Sequence, residues 1–229
     1  MKEPVAYVAE LTAWFRSHAR PDQAIAMSAY MKNRYPFLGI KTPERNLLLK
    51  AFVQAQGKPE NEQHLEQVVK LLWAQPEREF QNVAMSFLDT HGKRTEESRI
   101  QLLESLIVDK SWWDTVDFLA GNAAGSYLAH YPEQIEFYPE QWILSDNLWL
   151  RRSAILYQLG YKQLTNEERL FRFIRLCRHE KEFFIAKAIG WALRQYARIK
   201  PDAVRAFAAN ESLQPLSKRE ALKHLTQSR

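Results

Sequence analysis

One cysteine, Cys177, stands in 229 residues, so the chain can form no internal disulfide and no cysteine-only zinc cage. A lone thiol suits a reducing compartment. Glycine is scarce, at 7 residues, which argues against the turn-dense all-β classes. No apolar run approaches the ~18 residues of a membrane span. The start, Met1-Lys2-Glu3-Pro4-Val5, lacks the charged, apolar and small-residue regions of a signal peptide, so a cytoplasmic protein is expected. The six histidines (His18, His64, His91, His130, His179 and His224) are scattered, without the spacing that sets two imidazoles on one helix face, and no metal site is expected. P-loop, dinucleotide-fingerprint and nucleophile-elbow motifs are also missing. Gly121 and Gly125, four apart, fit a close approach of helices better than a phosphate cradle.

Hydrophobic residues make up 46% of the chain, enough for a sizeable core at this length. They recur at helical spacing: Leu65, Val68, Val69 and Leu72 form an i, i+3, i+4, i+7 stripe, as do Leu170, Phe173, Ile174 and Cys177. Strand-like alternation is absent. Prolines 4, 21, 43, 59, 76, 132, 201 and 215 fall between stripes or at helix starts. Thr42-Pro43-Glu44 reads as an N-cap with a first-turn proline, and Thr165-x-x-Glu168 and Ser217-x-x-Glu220 read as capping boxes. The pattern predicts about a dozen helices of roughly 10–18 residues, paired near the ~40-residue period of HEAT and armadillo units. No linker or composition break divides the chain, so one all-α domain over 1–229 is expected, a solenoid of stacked helix pairs with a concave face. Charge is uneven along it. Residues 1–150 hold 15 Lys+Arg against 20 Asp+Glu, and residues 151–229 hold 17 against 7. Such asymmetry fits a basic surface that meets a polyanion with the acidic half turned elsewhere, although basic ends also occur on helical proteins that bind no nucleic acid.

In Lys110-Ser111-Trp112-Trp113-Asp114-Thr115-Val116-Asp117, Ser111 and Asp114 have capping-box spacing, which gives Asp114 a structural role. Asp117 lies beyond the first turn and four residues after Trp113, so the two share a helix face. Two readings fit. A carboxylate beside an indole in a cleft can stabilise a developing cation; alternatively Trp113 is core and Asp117 pairs with an arginine such as Arg152. Further on, Lys187, Trp191, Arg194 and Arg198 make one basic and aromatic stripe, opposite a core face of Ile185, Ala188, Ile189 and Ala192. That stripe suits phosphates and an apolar ring plane, and equally a solvated surface with cation–π contacts. Arg151-Arg152 follows Trp149, and Arg172, Arg175 and Arg178 form a run that is more simply a solvated helix face.

Six blocks together resemble the AlkD-type DNA alkylation-repair family of HEAT-repeat glycosylases: Tyr30-Met31-Lys32-Asn33 through Phe37-Leu38-Gly39-Ile40 to Thr42-Pro43-Glu44-Arg45; Pro76-Glu77-Arg78-Glu79-Phe80; Ser111 to Asp117; Asp146-Asn147-Leu148-Trp149-Leu150-Arg151-Arg152; Phe183-Phe184 with Lys187 to Arg194; and Leu216-Ser217-Lys218-Arg219-Glu220-Ala221. They run in order over roughly residues 20–225. The resemblance implies an α-helical superhelix that grips duplex DNA in its concave groove and hydrolyses the N-glycosidic bond of 3-methyladenine and 7-methylguanine, with no cofactor or metal. A monomer suits a groove that must admit a duplex. By position, Trp113 and Trp191 would flank the lesion's deoxyribose, Asp117 would be the essential carboxylate, and Arg152 would contact the DNA backbone. Tyr30, Phe183, Phe184, Lys187 and Arg194 would lie along the groove. The base is expected to stay stacked, a mode that the resemblance alone implies. Two departures stand out: Gly160 where some relatives carry a basic residue, and the poorly matching stretch Phe118 to Gly125. The alternative class is a non-catalytic helical-repeat protein that binds bent or branched DNA, since relatives of that kind share the fold.

Overall fold

Each apolar stripe of the sequence becomes the buried face of a helix. The computed structural model describes residues 2–90 and 95–225, and His91 lies outside them. Among the described residues there is no strand, and the all-helical class expected from the sequence holds. Contacts within the chain gather in two units, divided between Glu96 and Glu97. The first contains α1 (Pro4–Arg16), α2 (Pro21–Tyr30), α3 (Thr42–Gln56), α4 (Glu62–Ala74) and α5 (Arg78–Thr90). The second contains α6 (Arg99–Val108), α7 (Trp113–Phe118), α8 (Gly125–His130), α9 (Tyr138–Leu144), α10 (Leu148–Leu156), α11 (Glu167–Cys177), α12 (Phe183–Tyr196), α13 (Pro201–Asn210) and α14 (Pro215–Leu222). Short 3-10 turns, Pro132–Glu136 and Lys162–Leu164, join some of them.

Leu65, Val68, Val69 and Leu72 of α4 are fully buried, as the period-3.6 stripe requires. In the same unit the Glu79 carboxylate accepts the amides of Leu38, Gly39 and Ile40 at 3.0, 2.9 and 3.0 Å. A buried charge thereby satisfies three loop donors that would otherwise be orphaned. This clamp ties the loop before α3 to the first turn of α5. Tyr30, at the end of α2, is 71% exposed.

The second unit has the same logic. Leu170, Phe173, Ile174 and Cys177 of α11 are buried, and burial pushes the Cys177 thiol up to about 12, which keeps it protonated and unreactive. Between α7 and α8 the chain makes a π-helical turn, Leu119–Ala124, within the stretch where the family resemblance is weakest. Gly125, just beyond it, packs against the C-terminal end of α10 so closely that a Cβ there would lie 2.4 Å from the carbonyl oxygen of Tyr157, the residue that caps that helix. Close helix approach is therefore the role of this glycine. The Gly125 carbonyl accepts the Tyr161 hydroxyl at 2.9 Å.

The capping expectations need correction by a residue or more. α11 is capped by Asn166, whose side chain accepts the Arg169 amide at 2.9 Å, not by Thr165. α7 starts after Trp112, while the Ser111 hydroxyl turns back to the Ile107 carbonyl at 2.6 Å, near the end of α6. α3 starts at Thr42 itself, with Lys41 as the flanking residue and Glu44 in the first turn. α14 begins at Pro215, which places Ser217 inside the helix, where its hydroxyl donates to the Ala186 carbonyl of α12 at 2.8 Å. Asparagine caps and a proline at the first turn override the hydroxyl boxes because each is an equal or better start signal nearby.

Candidate functional site

Three helices of the second unit meet at a carboxylate. α7 carries Asp117 with Trp113 one turn before it, α10 carries Arg152, and α12 begins at Phe183-Phe184. Arg152 grips Asp117 side-on with one edge of its guanidinium, Nε to Oδ1 at 2.7 Å and Nη2 to Oδ2 at 2.9 Å. Its remaining arm, Nη1, donates to the Phe184 carbonyl. This bidentate geometry fixes the plane of the carboxylate as well as its position. The side chain of Arg152 is 5% exposed and that of Asp117 is 19% exposed, so the guanidinium lies behind and the carboxylate meets solvent. Burial raises the Asp117 carboxyl above its ordinary value, and Arg152 works against that rise.

Aromatic rings back the pair. Trp112 and Trp149 each pack on Phe184, with centroids 4.9 and 5.0 Å away, and lie 5.7 Å from one another. The Arg152 guanidinium lies 5.9 Å from the Phe184 ring centroid. Neighbouring arginines diverge here: Arg151 turns to Glu180 at 3.0 Å and to the Ser145 carbonyl at 2.7 Å. The expected core face of α12, Ile185, Ala188, Ile189 and Ala192, is buried, which leaves Lys187, Trp191 and Arg194 on the opposite side.

A cleft of about 260 Å³ is lined by Trp113, Asp117, Arg152, Phe183, Phe184, Lys187, Trp191, Arg194 and Glu220. Eight of these were singled out from the sequence, and the fold brings all eight together. Trp113 and Trp191 are part-exposed, so neither indole is core. Each reading of Asp117 holds in part: it pairs with Arg152, and it faces a cleft beside an indole, while Trp113 is not core. Arg152, expected at the DNA backbone, is a buried residue that lines the cleft and bonds to Asp117 and to the Phe184 carbonyl. Tyr30 belongs to the other unit.

Sequence reasoning missed Glu220. It accepts from Lys187 Nζ at 3.2 Å and from Arg194 Nη1, and was assigned to a cap because it follows Ser217 by three. Burial would raise the Glu220 carboxyl, but hydrogen bonds from Lys187 and Arg194 hold it below the ordinary range. A closer signal was available in Gly190: a Cβ there would sit 2.5 Å from the Glu220 Cβ, so this glycine marks the contact of α12 with α14. The run Arg172, Arg175 and Arg178 is paired with acids elsewhere, Arg172 with Glu140, and Arg175 and Arg178 with Glu211 at 2.6 and 3.5 Å.

Fold and cleft define a class: an all-helical protein whose site is made of two indoles, an arginine-fixed carboxylate and further cations. The family model for DNA alkylation repair enzyme matches residues 11–225. The chain belongs to that family. A solved structure described as a predicted DNA alkylation repair enzyme from Enterococcus faecalis is 33% identical, with a TM-score of 0.85 over 92% of this chain and 98% of that one. Among curated proteins, none matches the chain.

Proposed function

We propose that this protein is a monofunctional DNA glycosylase of base excision repair that hydrolyses the N-glycosidic bond of cationic alkylpurines, 3-methyladenine and 7-methylguanine, in duplex DNA. The observation that carries the reading is the Asp117 carboxylate, held side-on by Arg152 and open to a cleft that also contains Trp113 and Trp191. An N3- or N7-alkylated purine is already positive. When its bond to the sugar C1′ breaks, the bonding pair moves to the base, which leaves neutral, and the sugar becomes an oxocarbenium-like cation. No general acid is needed. Asp117 supplies a fixed negative charge at short range, and the indole faces supply electron density. Water then adds at C1′, and its proton passes to solvent or to the carboxylate, which completes an abasic site.

Arg152 acts in this reading as a positioning residue for Asp117. Lys187 and Arg194 are the backbone contacts, and Phe183, 56% exposed, offers a ring to the duplex. Tyr30 contributes a further groove contact, with residues 1–229 working as one domain and as a monomer in the cytoplasm. The base remains stacked during excision, a mode that follows from the family resemblance. Incubation with duplexes that carry 7-methylguanine, 3-methyladenine or a bulky N7 adduct tests the reading through released base and alkali-labile sites. Release of all three is expected. Release of the small lesions alone would contradict the stacked-base mode, and binding without any release would make the protein a DNA-binding relative without chemistry.

A further inference from the structure

The cleft holds a second carboxylate for which bond cleavage has no use. Glu220 reaches from α14 between two cations of α12, with Oε1 taking Lys187 and Oε2 taking Arg194. Those cations are seven residues, or two turns, apart on one helix face. One carboxylate spans the gap by giving an oxygen to each. It is held there by its helix: Ser217 donates to the Ala186 carbonyl at 2.8 Å, and Gly190 admits α14 against α12. The Glu220 side chain is 17% exposed, whereas that of Lys187 is 39% exposed, so solvent reaches the cation more freely than the acid.

Two anionic oxygens shared between two cations reproduce the way a phosphodiester presents its non-bridging oxygens. We propose that Glu220 is a positioning residue that stands in for a backbone phosphate in the DNA-free protein, holding Lys187 and Arg194 at phosphate-binding separation and competing with the incoming strand for them. The inference rests on the reading of this cleft as a duplex-DNA site. Its consequence is weaker binding to undamaged duplex, which suits an enzyme that must leave ordinary DNA quickly. A brace with no such role would, when removed, loosen α14 and leave affinity unchanged or lower.

Anisotropy titration of an undamaged labelled duplex, over a range of salt, separates the two. Glu220→Gln is expected to bind roughly three- to tenfold more tightly, the scale of one or two part-exposed ion pairs. Its plot of log affinity against log salt should steepen by up to about one, because one more phosphate contact becomes uncompensated. Glu220→Asp, too short to span both cations, should fall between. It also serves if the glutamine variant does not fold. In a Lys187→Met, Arg194→Met background, Glu220→Gln should change nothing. Unaltered or weaker binding by both single variants would overturn the proposal, as would tightening that persists in that background, since general repulsion would then explain it. If the wild type itself does not bind duplex at low salt, the glycosylase reading fails too; binding without a response at Glu220 overturns this inference alone.

Discussion

Arg152 commits its donors to the interior, Nε and Nη2 to Asp117 and Nη1 to the Phe184 carbonyl. Arg152→Met would leave a part-buried carboxylate with no counter-charge. We expect a loss of about 3 kcal/mol, the low end for breaking a buried pair because Asp117 keeps some water, read from urea midpoints. The double variant Asp117→Asn, Arg152→Met should recover most of that stability and remain inactive, since neither charge is then unpaired. Equal stability of the single and double variants would contradict the pairing argument. The same carboxylate sets a pH limit. Its raised value means that protonation begins at higher pH than for an ordinary aspartate, so the charge that the proposed reaction needs is lost earlier on acidification. The single-turnover rate should therefore fall with a midpoint above about 3.9, the unperturbed value; a midpoint at or below it would contradict the burial argument. Four-residue spacing set Trp113 and Asp117 on a shared face but left their role open, and only the family resemblance pointed to a cleft. The Arg152 pairing stood as one of two readings, because periodicity does not say which distant helix arrives. Glu220 was harder to read, as its Arg194 partner is 26 positions away and a nearer, local explanation existed.

Among elements, the contact of α14 with α12 carries the site's second wall. Gly190→Ala would push a Cβ to 2.5 Å from the Glu220 Cβ and 3.1 Å from the Ser217 carbonyl oxygen, so one helix must shift. A loss of about 1–3 kcal/mol is expected, as for other overpacked contacts, with the Ser217–Ala186 hydrogen bond the first to lengthen. Thermal unfolding reads this, and an unchanged midpoint would mean that the helices are not in close contact. Helix existence was easy to read and helix starts were not. Stripes such as Leu170 to Cys177 depend on a period repeated over several turns, which no single residue can mask. Starts depend on single residues in competition, and Asn166 and Pro215 prevailed over Thr165 and Ser217. The π-helical turn after Asp117 left no periodic signature, being a one-residue change of register inside an otherwise helical run.

For the whole molecule, charge counted along the chain overstated the free basic surface. Glu136 and Glu140 belong to the acidic first 150 residues, yet they pair with Arg169 and Arg172. Linear charge does not reveal such pairing, whereas it correctly marks residues 151–229 as rich in cations. Arg172→Ala should accordingly change duplex affinity little, within about twofold, while Lys187→Ala should weaken it more and flatten its salt dependence by roughly one unit of slope. Equal losses would show that the arginine run meets DNA after all. Membership of the DNA alkylation repair enzyme family rests on a match that spans residues 11–225, but the proposed chemistry rests on one carboxylate. The most direct measurement is the single-turnover release of 7-methylguanine from a duplex by Asp117→Asn beside the wild type, with duplex affinity measured in parallel. The account predicts a rate lower by about 10²–10³, the loss typical for a preorganised electrostatic group, with binding retained. Release by the variant at the wild-type rate would contradict it.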